Sequence, residues 1–138
     1  MAGYLLDTNH LTAALKPGSP VRERIRAAKG RGVRVGVCVP ALCELQVGAQ
    51  QVQHVAEYLK ALSRLLAQLR IWPLDGETAR LYGEIYLQLR SRGRVLSQVD
   101  MMQAALARQM RLTLLTADRD FNASPELPTE NWLPNAGG

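Results

Sequence analysis

Short apolar runs alternate along the chain with segments whose apolar residues recur every three or four positions. The short runs predict strands at residues 4–7, 33–39, 71–74 and 112–115, with an edge strand at 131–133. The periodic segments predict helices at residues 9–16, 21–29, 41–50, 52–69, 76–92 and 97–110. Strands separated by helices need crossover connections, which make neighbouring strands parallel. The order therefore predicts a three-layer α/β/α fold, with a central, mostly parallel sheet of four to five strands flanked by helices.

Length and composition fit a single globular domain over residues 1–138, with a short flexible tail from about residue 134. Hydrophobic residues make up 47% and charged residues 21% of the chain, which excludes disordered and fibrous classes. Cys38 and Cys43 lack the companions of a zinc or disulfide framework, so both are expected to pack in the core. The chain has no apolar run of about 18 residues and no signal-peptide pattern. We therefore expect a cytoplasmic protein without a membrane partner.

Positive charge is concentrated in one segment. The net charge is +5, and 14 of the 17 basic residues are Arg, whose guanidinium binds phosphate through two parallel hydrogen bonds. Residues 16–34 carry seven basic side chains and one acid. Such a segment favours a polyanion or an acidic partner protein, although a solvated helix face has the same composition.

Four acidic residues are predicted at one edge of the sheet. Asp7 ends the first strand, and Asp118 follows the strand at 112–115 by three residues. Glu44 and Asp100 lie in the first turns of their helices, and a helix that follows a parallel strand begins at this edge. Ligand sites in such sheets lie beyond the carboxyl ends of the strands. The four carboxylates are therefore expected to converge.

The same acids also have a structural interpretation. Asp7 is suited to cap a turn, and Ser97 with Asp100 matches the pattern of a helix capping box. Asp118 and Asp120 are equally suited to cap the turn at residue 119. Capping alone would leave these side chains without a chemical role.

Glu44 is harder to explain by capping. Ala41 and Gly48 stand one turn before and after it and leave open space around its carboxylate, although small residues also allow tight helix packing. Two carboxylates about 4 Å apart repel by roughly 4 kcal/mol at an effective dielectric constant of 20, so a cluster needs a cation or a proton. Acidic oxygen ligands suit Mg²⁺ or Mn²⁺, which activate water for attack on a phosphodiester. Together with the basic segment, the acids indicate nucleic-acid hydrolysis.

Five stretches of the sequence resemble the PIN-domain ribonucleases, and specifically the VapC-type toxins of toxin–antitoxin pairs. They are LLDTNHL at 5–11, VPALCELQVGA at 39–49, GRVLSQVDMMQAALA at 93–107, LLTADRDF at 114–121 and ENW at 130–132. The resemblance implies a parallel sheet between helices and a Mg²⁺- or Mn²⁺-dependent endoribonuclease that acts on RNA. It also implies a homodimer that is inhibited by a cognate VapB-type antitoxin protein.

The resemblance assigns roles to particular residues. The acids that match the catalytic, metal-holding quartet are Asp7, Glu44, Asp100 and Asp118, of which Asp7 and Asp100 match the principal ligands. The residues that match supporting positions are Thr8, Asn9 and Thr116, with Asp120 as the alternative to Asp118. Two stretches depart from the family pattern. Val39-Pro40 stands where Ser or Thr is frequent, and the usual apolar pair after Asp100 is Met101-Met102, followed here by Gln103.

Other functions fit parts of this pattern. A receiver domain needs a Lys after its last strands, and the chain has none after Lys60. A haloacid-dehalogenase-like phosphatase needs a second Asp at the position of Asn9. The alternative that stays open is a catalytically weak PIN-like module that binds RNA or a partner.

Two of the predicted helices are expected to form a docking groove. The apolar stripe of residues 52–69 and the basic helix at 21–29 suit a segment of the antitoxin. Such a segment would also be able to place a basic side chain in the acidic site.

Overall fold

The computed structural model describes residues 3–124 and 126–134. Over these residues its strands are β1 (Gly3–Leu6), β2 (Arg34–Cys38), β3 (Arg70–Trp72), β4 (Leu112–Leu115) and β5 (Thr129–Glu130). The helices are α1 (Thr8–Leu15), α2 (Pro20–Gly30), α3 (Val39–Ala49), α4 (Val55–Leu66), α5 (Gly76–Ser91) and α6 (Gln98–Met110). A 3-10 turn at Arg119–Ala123 lies between β4 and β5.

The strands form one parallel sheet in the order β3-β2-β1-β4-β5. The chain adds β2 and β3 on one side of β1, and then adds β4 and β5 on the other side. The strand order therefore reverses between β1 and β4, and ligand sites in such sheets lie beyond the carboxyl ends of the strands at this point. The predicted three-layer fold with a parallel sheet is confirmed.

The central strands are buried on both faces of the sheet. Leu5 and Leu6 of β1 are fully buried, and so are Leu114 and Leu115 of β4. Successive strand residues point to opposite faces, so two adjacent buried residues require helices on both sides. This burial explains why these strands are continuous apolar runs in the sequence.

Gly36 allows β2 and β3 to approach each other closely. A Cβ atom at this position would lie 2.6 Å from the Arg70 carbonyl oxygen and 2.7 Å from the Trp72 ring. Neither atom belongs to a flexible side-chain end, so the strand pair has no room for a larger residue here.

Two predicted elements have wrong boundaries. The helix predicted at 52–69 is the shorter α4, because residues 51–54 form an exposed turn before it and residues 67–69 lead into β3. The strand predicted at 71–74 starts at Arg70 and ends before Pro73, which has no N–H to donate to a neighbouring strand.

The edge strand predicted at 131–133 is also misplaced. The strand is β5 at Thr129–Glu130, whose residues pair with Leu114 and Leu115 of β4. Of the predicted tail from about residue 134, only Pro134 is among the described residues.

The two cysteines lie in different environments. Cys38 is buried at the end of β2, as predicted. Cys43 is exposed on α3, so its predicted place in the core is wrong. It lies one turn before Val47, which is also exposed, so this stripe of α3 faces outward. Separately, none of the helices described here combines the length and apolar character that crossing a membrane requires.

Candidate active site

Asp7 occupies the carboxyl end of the central strand β1 and is 5% exposed. Its Oδ1 accepts a hydrogen bond from the Thr8 backbone N–H at 2.7 Å, which makes Asp7 the N-terminal cap of α1. Its Oδ2 accepts a hydrogen bond from the Thr116 hydroxyl at 2.7 Å. Both oxygens of this buried carboxylate are therefore fixed by donors from two different parts of the chain.

Thr8 and Asn9 take supporting positions. The N-terminal cap of α1 is Asp7, and Thr8 and Asn9 lie in the first turn that follows it. The Thr8 hydroxyl lies 3.4 Å from Asp7 Oδ1, and the Asn9 amide nitrogen lies 3.5 Å from Asp7 Oδ2. Both side chains thus face the carboxylate from the first turn of α1.

Gln103 connects Asp7 with Asp100. Its Nε2 donates to Asp7 Oδ1 at 3.1 Å and to Asp100 Oδ1 at 3.4 Å, and the contact offsets part of the repulsion between the carboxylates. Its Oε1 is buried and has no partner within the described residues. In the sequence Gln103 is visible only as a departure from the family pattern. Its place one turn after Asp100 is the signal that predicts contact with that acid.

The pKa of the Asp100 carboxyl responds to the charges around it. The Ser97 hydroxyl accepts a hydrogen bond from the Asp100 backbone N–H, which is one half of the predicted capping box. Burial raises the pKa of the Asp100 carboxyl, and the charges of Asp7, Asp118 and Glu44 raise it further, against the opposing effect of Ser97. The four predicted acids are therefore close enough to act on one ionisation.

Asp118 is connected to Asp7 through Thr116. Its backbone N–H donates to the Thr116 hydroxyl oxygen at 3.0 Å, and that hydroxyl donates to Asp7. Its Oδ1 accepts from the Asp120 backbone N–H, so Asp118 also caps the 3-10 turn. Asp120 itself is exposed. The hydrogen bonds through Thr116 thus place Asp118 near Asp7. Asp118 caps the 3-10 turn and also lies near the other acids.

Glu44 approaches from α3 and is exposed. An added Cβ at Gly48 would meet no atom within 4 Å, so the space predicted beside Glu44 is open. Burial raises the pKa of the nearby Cys38 thiol to about 11, and the charges of Asp7 and Glu44 contribute to the shift. Cys38 therefore stays a neutral packing residue beside the acids.

The chemistry of this edge fits a hard divalent ion. Its ligands would be carboxylate oxygens, with the unpartnered Gln103 Oε1 beside them. Within residues 3–124 and 126–134, no three His, Cys, Asp or Glu side chains lie close enough together to hold an ion as they stand. Glu44 is exposed, and Asp100 and Asp118 are half-buried, so these three side chains are more accessible to an incoming ion than Asp7 is.

The basic segment is partly used inside the molecule. Arg22 donates from its Nε to the Ala14 carbonyl oxygen at 2.8 Å, and Arg26 pairs with Glu23. The Arg24 guanidinium lies 4.5 Å from the centre of the Trp132 ring. Arg22 therefore joins α2 to α1, and Arg24 joins α2 to the C-terminal segment, whereas the Arg26 pair lies within α2.

Comparison with known proteins identifies the family. The family model of the PIN domain matches residues 4–127 of this chain. The parallel sheet with helices on both sides also resembles PIN-like structures. The chain therefore belongs to the PIN-domain family.

VapC proteins are among the relatives that this chain resembles. The chain is 31% identical over 137 residues to the tRNA(fMet)-specific endonuclease VapC of Shigella flexneri. This alignment covers 96% of this chain and 99% of that protein. The structure of VapBC2 from Rickettsia felis, bound to a promoter DNA fragment, matches with a TM-score of 0.87 at 25% identity, over 96% of this chain and 99% of that chain. VapBC-5 from Mycobacterium tuberculosis, a toxin–antitoxin family member, matches with a TM-score of 0.68 at 26% identity, with coverages of 96% and 98%.

Proposed function

We propose that this chain is a Mg²⁺- or Mn²⁺-dependent endoribonuclease, the toxin of a VapBC-type toxin–antitoxin pair. The observation that carries the proposal is the position of Asp7. Its carboxylate is buried beside the reversal of strand order, and the charges of Asp7, Asp118 and Glu44 all help to raise the pKa of Asp100. This arrangement occurs in a chain whose relative from Shigella flexneri is named as a tRNA endonuclease.

We assign metal binding to Asp7 and Asp100 first, and to Asp118 and Glu44 second. A divalent ion would supply a Lewis acid that makes water nucleophilic and offsets the negative charge of the phosphodiester transition state. Asp7 is the fixed member, because Thr116 and Gln103 hold its two oxygens. The other acids are more exposed and are suited to adjust to ion and substrate.

Metal removal tests this proposal directly. We expect purified protein to cut labelled RNA when Mg²⁺ or Mn²⁺ is present and to stop when EDTA is in excess, because the acids alone repel a phosphate. Restoring Mn²⁺ should restore cleavage. Cleavage that continues undiminished in EDTA would contradict the metal assignment. RNA binding without cleavage, with either ion, would favour the alternative of a catalytically weak PIN-like binding module.

We propose that a VapB-type antitoxin binds the groove between α2 and α4. The groove has a volume of about 320 Å³. Apolar side chains from α1 and α4, including Leu15 and Leu65, line it together with three guanidinium groups from Arg22, Arg26 and Arg64. Apolar walls with arginines suit an amphipathic peptide that carries acidic residues. A basic side chain of the same peptide, placed among the acids, would compete with the metal.

Charge reversal tests the groove. We expect Arg64→Glu to weaken the complex with a co-purified antitoxin by about tenfold, because an acidic peptide then meets a like charge. The matched control is Lys29→Glu, which changes the net charge equally but lies outside the groove. Affinities are measured by calorimetry. Equal affinity of both variants, at any value, would show that the groove arginine has no specific role.

We also propose that two copies of the chain form a dimer in the cytoplasm. Large apolar side chains are exposed on α5 and the loop after it, where Tyr86 is 46%, Leu87 63% and Val95 89% exposed. Ala79 and Gly83 on α5 are also exposed, and small residues allow a second helix to approach closely. This face of α5 is therefore the surface that we assign to the second copy.

A further inference from the structure

His10 is a buried histidine that the proposed metal chemistry does not use. It lies on α1 three residues after Asp7 and is fully buried. Its Nε2 accepts a hydrogen bond from the Trp132 backbone N–H at 2.9 Å, and its Nδ1 lies 2.7 Å from Asn9 Oδ1. Both ring nitrogens therefore have a partner, one from the C-terminal segment and one beside the acidic cluster.

These partners fix the tautomer of the ring. A backbone N–H only donates, so Nε2 must carry a lone pair toward Trp132. A charged imidazolium would place two donors against each other. The ring is therefore neutral with its proton on Nδ1, and this proton is donated to Asn9. Burial supports the same state, because it lowers the pKa of His10 to about 4.

The tautomer in turn fixes Asn9. Since His10 donates to the Asn9 amide oxygen, the amide nitrogen is the end that faces Asp7 Oδ2, at 3.5 Å. This contact is long, and hydrogen bonds of active sites are often long before ligands bind. The Asn9 amide therefore cannot flip while the His10 ring is neutral, because its nitrogen would then face the Nδ1 proton.

Trp132 is itself held in place. Its ring contacts Tyr4 in an edge-on arrangement at 4.8 Å between centroids, and Arg24 lies over it. Its indole N–H donates to the Glu130 carboxylate at 3.1 Å. The Glu130 carbonyl oxygen accepts from the Thr116 backbone N–H at 2.9 Å. The segment 130–132 therefore reaches Asp7 by two routes, through Thr116 and through His10 with Asn9.

We propose that His10 is a positioning residue: Trp132 fixes the tautomer of the His10 ring, and the Nδ1 proton of His10 then orients Asn9 toward the Asp7 carboxylate. The inference deepens the proposed function and rests on it. It gives the ENW stretch at 130–132 a role in site geometry, although these residues lie outside the acidic cluster.

Two substitutions separate the two ends of the imidazole. In His10→Asn the amide nitrogen takes the place of Nδ1 and keeps the donor to Asn9. In His10→Gln the amide oxygen takes the place of Nε2 and keeps the acceptor for Trp132. We expect His10→Gln to lower kcat by about 10- to 100-fold at unchanged KM, with weaker Mn²⁺ binding by calorimetry, and His10→Asn to retain most of kcat. The exposed His54, replaced in the same two ways, serves as control.

The proposal is overturned if both His10 variants fold and keep wild-type kcat and Mn²⁺ affinity, or if both lose them equally. Nitrogen-15 NMR of the wild-type histidine side chains tests the relay without any variant. We expect a proton on Nδ1 and a bare Nε2 at pH 7, and the opposite tautomer or an imidazolium would refute the relay. If the wild type neither cuts RNA nor binds Mn²⁺, the proposed function fails, whereas the tautomer measurement still decides the relay.

Discussion

Asp7→Asn is expected to lower the rate of metal-dependent RNA cleavage by about 10³-fold, because it removes the central negative charge of the site. The amide also replaces one acceptor by a donor. Asp7 Oδ1 accepts from Thr8 and Gln103, and Oδ2 accepts from Thr116. Either orientation of the amide therefore places its NH₂ group where the carboxylate accepted hydrogen bonds. Initial rates on labelled RNA with saturating Mn²⁺ measure the loss.

A second readout of the same variant concerns Asp100. The charge of Asp7 is one cause of the raised pKa of Asp100, so its removal should lower that pKa and make Asp100 ionise more readily. Carboxyl NMR titration of the two proteins measures this shift. An unchanged Asp100 titration would show that the two acids are not coupled in solution.

Asp75→Asn is the matched control for this substitution. Asp75 caps α5 and contacts Gln109, at the opposite end of α6 from Asp100. Asn caps helices as well as Asp does, so we expect this variant to keep both its stability and its cleavage rate. Wild-type cleavage by Asp7→Asn, or equal losses in the two variants, would contradict the assignment of Asp7.

Gly36→Ala is expected to lower the free energy of unfolding by about 3 kcal/mol, because its Cβ has no space in the sheet. The added atom would lie 2.6 Å from a backbone oxygen of β3 and 2.7 Å from the Trp72 ring, so β2 and β3 must separate. Urea unfolding followed by circular dichroism measures the effect as a lower midpoint. Retention of the wild-type midpoint would show that the strands are not packed this closely.

Gly83→Ala is the control with the opposite sign. Gly83 lies inside α5, and an added Cβ there would meet no atom within 4 Å. Alanine favours a helix over glycine by about 1 kcal/mol, so this variant should be more stable than the wild type at protein concentrations too low for the proposed dimer to form. The pair separates the cost of the methyl group at Gly36 from any general effect of replacing glycine.

The placement of the four acids at one edge of the sheet was predictable because each acid stands next to the boundary of an element. Asp7 follows β1, Asp118 follows β4, and Glu44 and Asp100 lie near the starts of α3 and α6. A parallel sheet sends strand ends to one edge, so the topology alone groups such residues. The capping interpretation was also correct for Asp7 and Asp118, and capping leaves both residues at this edge of the sheet.

Contacts between distant residues were not predictable in the same way. Gln103 reaches Asp7 across 96 positions, and Trp132 reaches His10 across 122 positions. The periodicity of apolar residues predicts helices and strands, but it does not predict which polar side chains from two distant elements meet. From its position in the sequence, each of these side chains has several possible partners. The position of β5 was missed for a related reason, since pairing with β4 decides where a two-residue strand lies.

The hydrogen bonds on Asp7 have a kinetic consequence. The carboxylate is held by Gln103 and Thr116, which follow it by 96 and 109 positions. Contacts of such high sequence separation form late in folding, because a long loop must close before they gain any stability. Catalysis and global folding should therefore appear together during refolding, and a partly folded chain should be harmless to RNA.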